Sequence, residues 1–357
     1  NIRDDTQISR LLKYNIKEQD INLFLRAWNQ MNNTKECIYV GYDSTNFNTN
    51  AYGIELADYG HPKVDEGLPQ YNLAYAVNQK DSTPLFYELY DGSVIDNTEL
   101  EIMLEEAKEF GHEKLGVLMD RGYISEKNIK ALRTKGYEYI LMMKQNQRIC
   151  QEIIEEYGAA VQSLEGYYIG EHGVYGTTVK KQLYGQETNI HVYYDDIRAS
   201  EEKVALMSRY ETWEKEIEKK VAKRIATEGE MKKYRKVFKL KYDQNGYLVA
   251  YQRNSRYIKE EIRNLGFFFI ITSEEMSTSK ALDIYRGRDN IEKMFRSLKS
   301  GIDFNKARVH TTESLKSKVF VTFIAMIVRN ELFQKAEELR KKNRKAYTLP
   351  GMISELE

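Results

Sequence analysis

Between Cys37 and Met143 the hydrophobic period changes once along the chain, and that change leaves few architectures open. The stretches "CIYVGYDSTNF", "YNLAYAVN" (71–78) and "TPLFYELYDG" (83–92) have the texture of strands, the last two parted by the turn-like "QKDS". Three such strands in succession predict a meander. A different rhythm follows. "NTELEIMLEEAKEFG" (97–111) is an amphipathic helix opened by a cap-like Asn97, and "KLGVLMD" (114–120) is a short buried strand. "SEKNIKALRTKG" (125–136) is a second helix and "YEYILMM" (137–143) a further strand. Strands first, then alternating helix and strand, predict an α/β fold: a mixed sheet with helices packed on its faces.

After Lys144 the rhythm breaks. Residues 146–264 hold strand-like pieces ("GYYIG", "TTVKKQLYG", "NIHVYYDD"), a highly charged helical run over 199–235, and "KVFKLKYDQNGYLVAYQ", a hairpin with an Asn245-Gly246 turn. This reads as a large α+β insertion. "NLGFFFIITS" (264–273) resumes buried-strand character, and two long helices follow over 277–300 and 312–340. The expected organisation is a helical N-terminal segment (1–35), a first core part (36–145), the insertion (146–264), a second core part (265–340) and a basic tail (341–357).

With 357 residues and 41% hydrophobic content the chain can bury a substantial core. Its longest late apolar run, "VFVTFIAMIV" (319–328), is too short to span a bilayer and is flanked by Lys318 and Arg329, so a buried helix is expected and no membrane partner. The chain opens on Asn1 without a charged leader, which is compatible with a start inside a longer protein. Cys37 and Cys150 match neither a disulfide framework nor a zinc spacing, as in a reducing, cytoplasmic compartment. The net charge is zero but unevenly spread. From Lys280 to Lys345 there are 17 Lys and Arg against 8 Asp and Glu, a local excess of +9 that the rest of the chain balances with −9. Such a basic stretch fits a polyanion-binding face or a solvated helix.

The segment "YRGRDNIEKMFRSLK" (285–299) sits inside that stretch. Arg288, Glu292 and Lys299 lie 3, 7 and 14 residues beyond Tyr285. At helical spacing all four fall within about 60° of one another, beside an apolar stripe of Ile284, Ile291, Phe295 and Leu298. A solvated Arg–Glu pair at i, i+4, contributing about 0.3–0.5 kcal/mol, is the plain alternative. Two more carboxylates bear on the choice. Asp43 interrupts a strand otherwise suited to burial, and Asp120 closes the fourth strand, where open α/β sheets present functional groups. Each also reads as a turn residue, in Asp43-Ser44-Thr45 and in Asp120-Arg121-Gly122. Three carboxylates gathered at one sheet edge would repel unless a cation neutralised them. Hard oxygen donors favour Mg²⁺, or Mn²⁺ in its place, over zinc.

The spacing Tyr-(2)-Arg-(3)-Glu-(6)-Lys at Tyr285, Arg288, Glu292 and Lys299, with Asp43 in "YDSTNF" and Asp120 in "MDRGYIS", resembles the DDE-type insertion-sequence transposases of the branch carrying this signature. The likeness covers residues 36–335, including "GLPQYNLAYAVNQKDSTPLFYELYDGS". It implies a ribonuclease-H-like core interrupted by a large insertion before the last acid; 77 residues part Asp43 from Asp120 and 172 part Asp120 from Glu292. It further implies a catalytic triad of Asp43, Asp120 and Glu292 holding two Mg²⁺ ions on double-stranded transposon-end and target DNA. Tyr285, Arg288 and Lys299 would contact the DNA backbone, with Arg121, Lys306 and Arg308 as further DNA-binding candidates. A homodimer on DNA and a nucleoid-associated, prokaryotic setting are implied too.

Other classes stay in view. A haloacid-dehalogenase-like phosphatase needs an acid two residues after its nucleophile, where this chain has Thr45. A nuclease or resolvase of the same fold would cut without joining, and a non-catalytic relative would bind DNA alone. Trp213 reads either as packing or as a stacking surface for an unpaired base, and His172, His191 and His310 indicate no metal site.

Overall fold

Tyr39 of β1 (Ile38–Asn48) requires a glycine on the next strand. Gly116 of β4 (Leu115–Met119) pairs with it in register, and a Cβ there would run into the tyrosine ring. The tyrosine hydroxyl then donates to Glu138 of β5 (Glu138–Met142) at 2.6 Å, so one side chain ties three parallel strands together. The structure is a computed structural model that describes residues 4–33, 37–60, 67–94, 96–112, 114–119, 124–163, 167–223, 228–289, 296 and 308–343. The chain divides into two compact units, Asn1–Met142 with Lys181–Asn189 and Ile271–Glu357, and Met143–Lys180 with Ile190–Ile270.

In the first unit the strands run in the order β3-β2-β1-β4-β5, with β2 (Gln70–Asn78) and β3 (Pro84–Asp91) completing the meander. β2 is antiparallel to β1 and β3, whereas β4 is parallel to β1 and β5 to β4. This is the mixed sheet that the sequence predicts, in the ribonuclease-H-like form that the family resemblance implies. The crossovers between parallel strands are α3 (Asp96–Glu109) and α4 (Glu126–Thr134), the latter capped by Ser125 accepting from the Asn128 amide. Every residue of β4 is buried, as a strand covered on both faces must be.

The N-terminal helices α1 (Asp5–Arg10) and α2 (Glu18–Asn32) belong to this unit. Trp28 donates its indole N–H to the Pro84 carbonyl at 2.7 Å, and Phe24 meets Phe320 edge-on at 5.3 Å. Phe320 is part of the 32-residue helix α9 (Thr312–Asn343), which follows α8 (Thr278–Arg286) among the described helices. Phe323 of α9 packs on Tyr75 and Tyr87 at 6.0 and 5.1 Å, covering one sheet face, while Phe86 turns the other way to Phe110. The run "VFVTFIAMIV" thus buries one face, with Val319, Phe320, Phe323, Met326 and Ile327 in the core and Val321 and Val328 exposed, and no helix of the described residues is long and apolar enough to cross a membrane.

The second unit contains α5 (Arg148–Ser163), β6 (Tyr168–Ile169), most of β7 (Val174–Leu183), the end of β8 (Gln186–Tyr194), α6 (Asp196–Lys223), β9 (Phe238–Tyr242), β10 (Leu248–Arg253), α7 (Ser255–Asn264) and the start of β11 (Phe267–Thr272). Its strands run β11-β8-β7-β6, and β9 with β10 forms a separate hairpin whose Gly246 adopts φ +80° in the Asn245-Gly246 turn. The long charged helix is described over Asp196–Lys223 and has given way to turns by Glu228, inside the charged run, and a short 3₁₀ turn at Lys232–Tyr234 intervenes before β9. Leu206, Tyr210, Ile217, Tyr234, Phe238 and Ile258 are part of one buried cluster in this arm. Trp213 packs between Tyr210 and Tyr234, with ring centroids 5.9 and 5.7 Å away, which is the packing role.

Candidate active site

β1 changes character along its length. Its first half buries Ile38 and Val40, but beyond Asp43 it buries Ser44, Thr45 and Asn46 at 4, 5 and 6% exposure. Asn46 pairs with Asn72 on β2, where Asn72 and Gln70 are also buried. Asn72 donates to the Asp91 carbonyl at 2.8 Å and Gln70 to the Gly92 carbonyl at 2.9 Å, while Oε1 of Gln70 is buried without a partner among the described residues. A hydrophobic strand would hold the sheet more simply. The polar run thus marks one end of β1 and β2 as a prepared surface. Sequence reasoning fixed on Asp43 and passed over this surround, although "DSTNFN" within a strand was a legible signal.

The segment after β1 is held rigidly at that end. Asp58 and Gln70 exchange backbone hydrogen bonds at 2.9 Å, and the Gly92 amide donates to the Leu56 carbonyl. Gly53 bridges Thr311, the Thr312 amide donates to the Gly53 carbonyl at 3.1 Å, and the Glu55 amide donates to the Thr312 hydroxyl at 2.9 Å. Gly53 has to be glycine, because a Cβ would strike the His310 carbonyl. Exposed Arg308 stands two residues before His310 with φ +51°, a left-handed conformation unusual for a side-chain-bearing residue.

Asp43 lies within β1, opposite Tyr75 of β2. The parallel pairing of β1 with β4 runs to Gly41 and Leu118, so Asp43 stands two residues past the last paired position, and Asp120 is likewise two residues past Leu118 in sequence. Asp120, Arg121, Glu292, Lys299 and Lys306 lie outside the described residues. Tyr285 and Arg288 are described, and they correct the expectation of one uninterrupted helical face over 277–300. α8 stops at Arg286; the Gly287 amide is shared between the Asp283 and Ile284 carbonyls, and the Arg288 amide tightens onto Tyr285 at 3.0 Å. Helix is assigned again at Asp289 and at Arg296, and the part of the expected face that holds Glu292 and Lys299 lies outside the described residues. Tyr285 itself is 7% exposed, and the partly buried Arg288 holds its guanidinium 5.8 Å from the Tyr285 ring centroid, a cation–π contact that orients the arginine. Gly287 packs so closely on Gln79 that a Cβ would overlap its side chain.

The model of the Transposase DDE domain matches residues 40–328 of this sequence. The chain belongs to the DDE transposase family. DDE transposases are generally dependent on divalent metal ions. No curated protein matches this DDE transposase chain. Among solved structures it is similar to the piggyBac transposase synaptic complex with hairpin DNA, at 9% identity and TM-score 0.43, over 97% of this chain and 57% of that one. It is also similar to the Mos1 transposase paired-end complex with the left transposon end, at 15% identity and TM-score 0.22, over 39% of this chain and 43% of that one. The chain thus spans little more than half the length of the first of these transposases.

Proposed function

We propose that this chain cuts DNA at transposon ends and joins the freed 3′-hydroxyl to target DNA, using Asp43, Asp120 and Glu292 as metal-holding catalytic acids. The observation that carries the reading is the pairing of β1 with β4. Two adjacent parallel strands carry Asp43 and lead directly into Asp120, each two residues beyond the Gly41–Leu118 pair. Chain reach supports the third acid. Gly287 packs on Gln79, whose amide donates to the Tyr39 carbonyl at 2.8 Å. Tyr39 precedes Asp43 by four residues, about 13 Å along a strand. The five residues from Gly287 to Glu292 can span up to about 17 Å, enough to bring the glutamate to Asp43.

The donor set suits hard divalent ions: three carboxylates, with the buried polar strand end around Asp43 to fix the backbone that bears it. Two Mg²⁺ ions, with Mn²⁺ as substitute, would supply activation of the attacking oxygen and charge neutralisation on the leaving 3′ oxygen. In hydrolysis a water oxygen bonds to phosphorus, the 3′ O–P bond breaks, and the proton passes to the departing oxygen. In strand transfer the 3′-hydroxyl takes the place of water and a target 3′ oxygen leaves, so no covalent protein intermediate is required. Arg288, Lys299, Arg121, Lys306 and Arg308 hold phosphates on this reading, and Tyr285 serves by positioning Arg288. Joining two ends calls for a homodimer on the DNA, acting on the nucleoid of a prokaryotic cell.

Alanine at Asp43, Asp120 or Glu292 is expected to abolish Mg²⁺-dependent nicking of an end-containing duplex while duplex binding is retained. Retained metal-dependent cutting by any of the three variants would overturn the assignment. A nuclease or resolvase would cut without joining, so transfer of a pre-cut 3′-hydroxyl end into a second duplex separates the readings.

A further inference from the structure

The catalytic reading leaves one strongly charged region of the second unit without a role. From Lys219 to Lys241 there are ten Lys and Arg against two Asp and Glu, in a chain that is neutral overall. Lys233 pairs with Glu216 and Arg235 with Glu228, but most of the excess is displayed. Lys219, Lys223, Lys232, Lys236, Lys239 and Lys241 are exposed, and none of them has an ion-pair partner among the described residues. At the end of α6, Lys219, Lys220, Lys223 and Lys233 line a concavity of about 460 Å³ together with Tyr234 and two acids, Glu216 and Glu230.

The fold uses only some of these charges. A helix C-terminus is satisfied by one or two cations in its last turn, and Lys220 and Lys223 already supply them on α6. Lys233 is occupied by Glu216 at 3.0 Å. The hairpin is anchored through Phe238 and Leu248 in the buried cluster, so Lys239 and Lys241, alternating outward on β9, add nothing to that core.

We infer that the lysine-lined concavity at the end of α6 is a contact site for the phosphate backbone of duplex DNA, separate from the catalytic acids and indifferent to sequence. Lysine ammonium groups act as point charges toward phosphate and lack the planar fork that reads base edges. Tyr234, the aromatic residue in the lining, is 1% exposed with its hydroxyl on Glu216, so it offers no face for stacking and the site favours duplex over single strand. The inference rests on the reading of DNA as the substrate and assigns part of the second unit to holding it.

The test is the salt dependence of binding to a 30-base-pair duplex of arbitrary sequence, comparing the full chain with the triple variant Lys219→Gln, Lys220→Gln, Lys223→Gln. Each phosphate contact contributes about 0.9 to the slope of log affinity against log salt, so losing three lowers the slope by up to about 2.7. The affinity ratio of wild type to variant should then shrink by as much as about 40-fold as salt rises from roughly 50 to 200 mM. Lys203→Gln, an exposed lysine elsewhere on α6, should leave the slope unchanged. An unaltered slope in the triple variant, with its melting temperature preserved and wild type binding duplex normally, overturns this site and leaves the substrate reading intact. A wild-type chain that binds no duplex removes the substrate reading itself. Equal loss with Lys203→Gln would assign the effect to total charge and refute the site.

Discussion

The five-stranded sheet of the first unit and the arm formed by α6, α7 and the β9–β10 hairpin are held together by different means. The sheet buries both faces: β4 is buried throughout, and α9 covers Tyr75 and Tyr87 while Phe86 packs on the opposite side. The arm buries one side only. Phe238 and Leu248 point into its cluster, and β9 alternates between that cluster and exposed lysines. Around the cluster runs a rim of tyrosine hydroxyls donating to glutamates, Tyr251 to Glu218 at 2.9 Å, Tyr257 to Glu261 at 2.7 Å, and Tyr210 to Glu261. A two-sided core can position buried polar groups at a strand end, as at Ser44, Thr45 and Asn46, and a one-sided core leaves its other face available for charge.

The sharpest way to break that contrast is Phe238→Ala. The ring is fully buried in a small cluster with little to collapse around it, so the expected loss is about 3–5 kcal/mol. It should be local. Hydrogen exchange should show amides of β9, β10 and α7 losing protection while those of β1 and β4 keep theirs. Parallel loss in both units would mean that they unfold as one body and that the contrast is superficial.

Acid tests the buried polar groups of the second unit next. His191 is buried with its Nδ1 2.8 Å from the Thr178 hydroxyl, and burial lowers its pKa to about 4 from an ordinary 6.5. Between those values the unfolded chain binds a proton that the folded chain refuses. Stability is therefore full above pH 6.5 and falls as pH drops toward 4, by on the order of 3 kcal/mol from this one group. Carboxylates titrate in the same range, so the comparison is with His191→Gln. Wild type should lose more stability than the variant between pH 7 and pH 4 in urea denaturation, and equal losses would show that His191 is protonated in the folded state.

Much of this architecture is legible in the sequence. Period-two segments at 71–78 and 83–92, helical periods at 97–111 and 125–136, and the Asn245-Gly246 turn each announce their element, because burial on one face imposes the period directly. Three features are less legible. α5 has a clear stripe of Cys150, Ile153, Ile154, Gly158 and Val161, yet it sits in a segment whose neighbours read as strands. α6 has given way to turns by Glu228 although charge continues beyond it, since charge alone carries no boundary. The turn at Gly287 is set by a tertiary contact, Gln79 pressing on a position with no Cβ, and no local pattern records that contact. For the candidate site, two acids attached to neighbouring strands follow from strand order, whereas the buried polar residues around Asp43 emerge only once burial is known.

The smallest expected effect concerns polar burial within the sheet's own unit. Asn29 of α2 is completely buried; its amide donates to the Leu25 and Leu85 carbonyls at 2.8 Å each, and its Oδ1 accepts from His112 Nε2 at 2.7 Å. With Nε2 carrying the proton, Nδ1 of His112 is buried without a partner among the described residues, and burial, which disfavours the charged form, lowers the histidine pKa. Asn29→Ala removes three hydrogen bonds and leaves the Leu85 carbonyl and His112 Nε2 unsatisfied in the interior, a loss of about 2 kcal/mol. Leu85 is on β3, so the asparagine clamps α2 to the sheet edge beside the Trp28 bond to Pro84. The urea midpoint should drop with the slope unchanged, since the surface exposed on unfolding is the same. A variant as stable as wild type would show that α2 is held by Phe24 and Trp28 alone, and that even the two-sided core takes its edge helix by apolar packing.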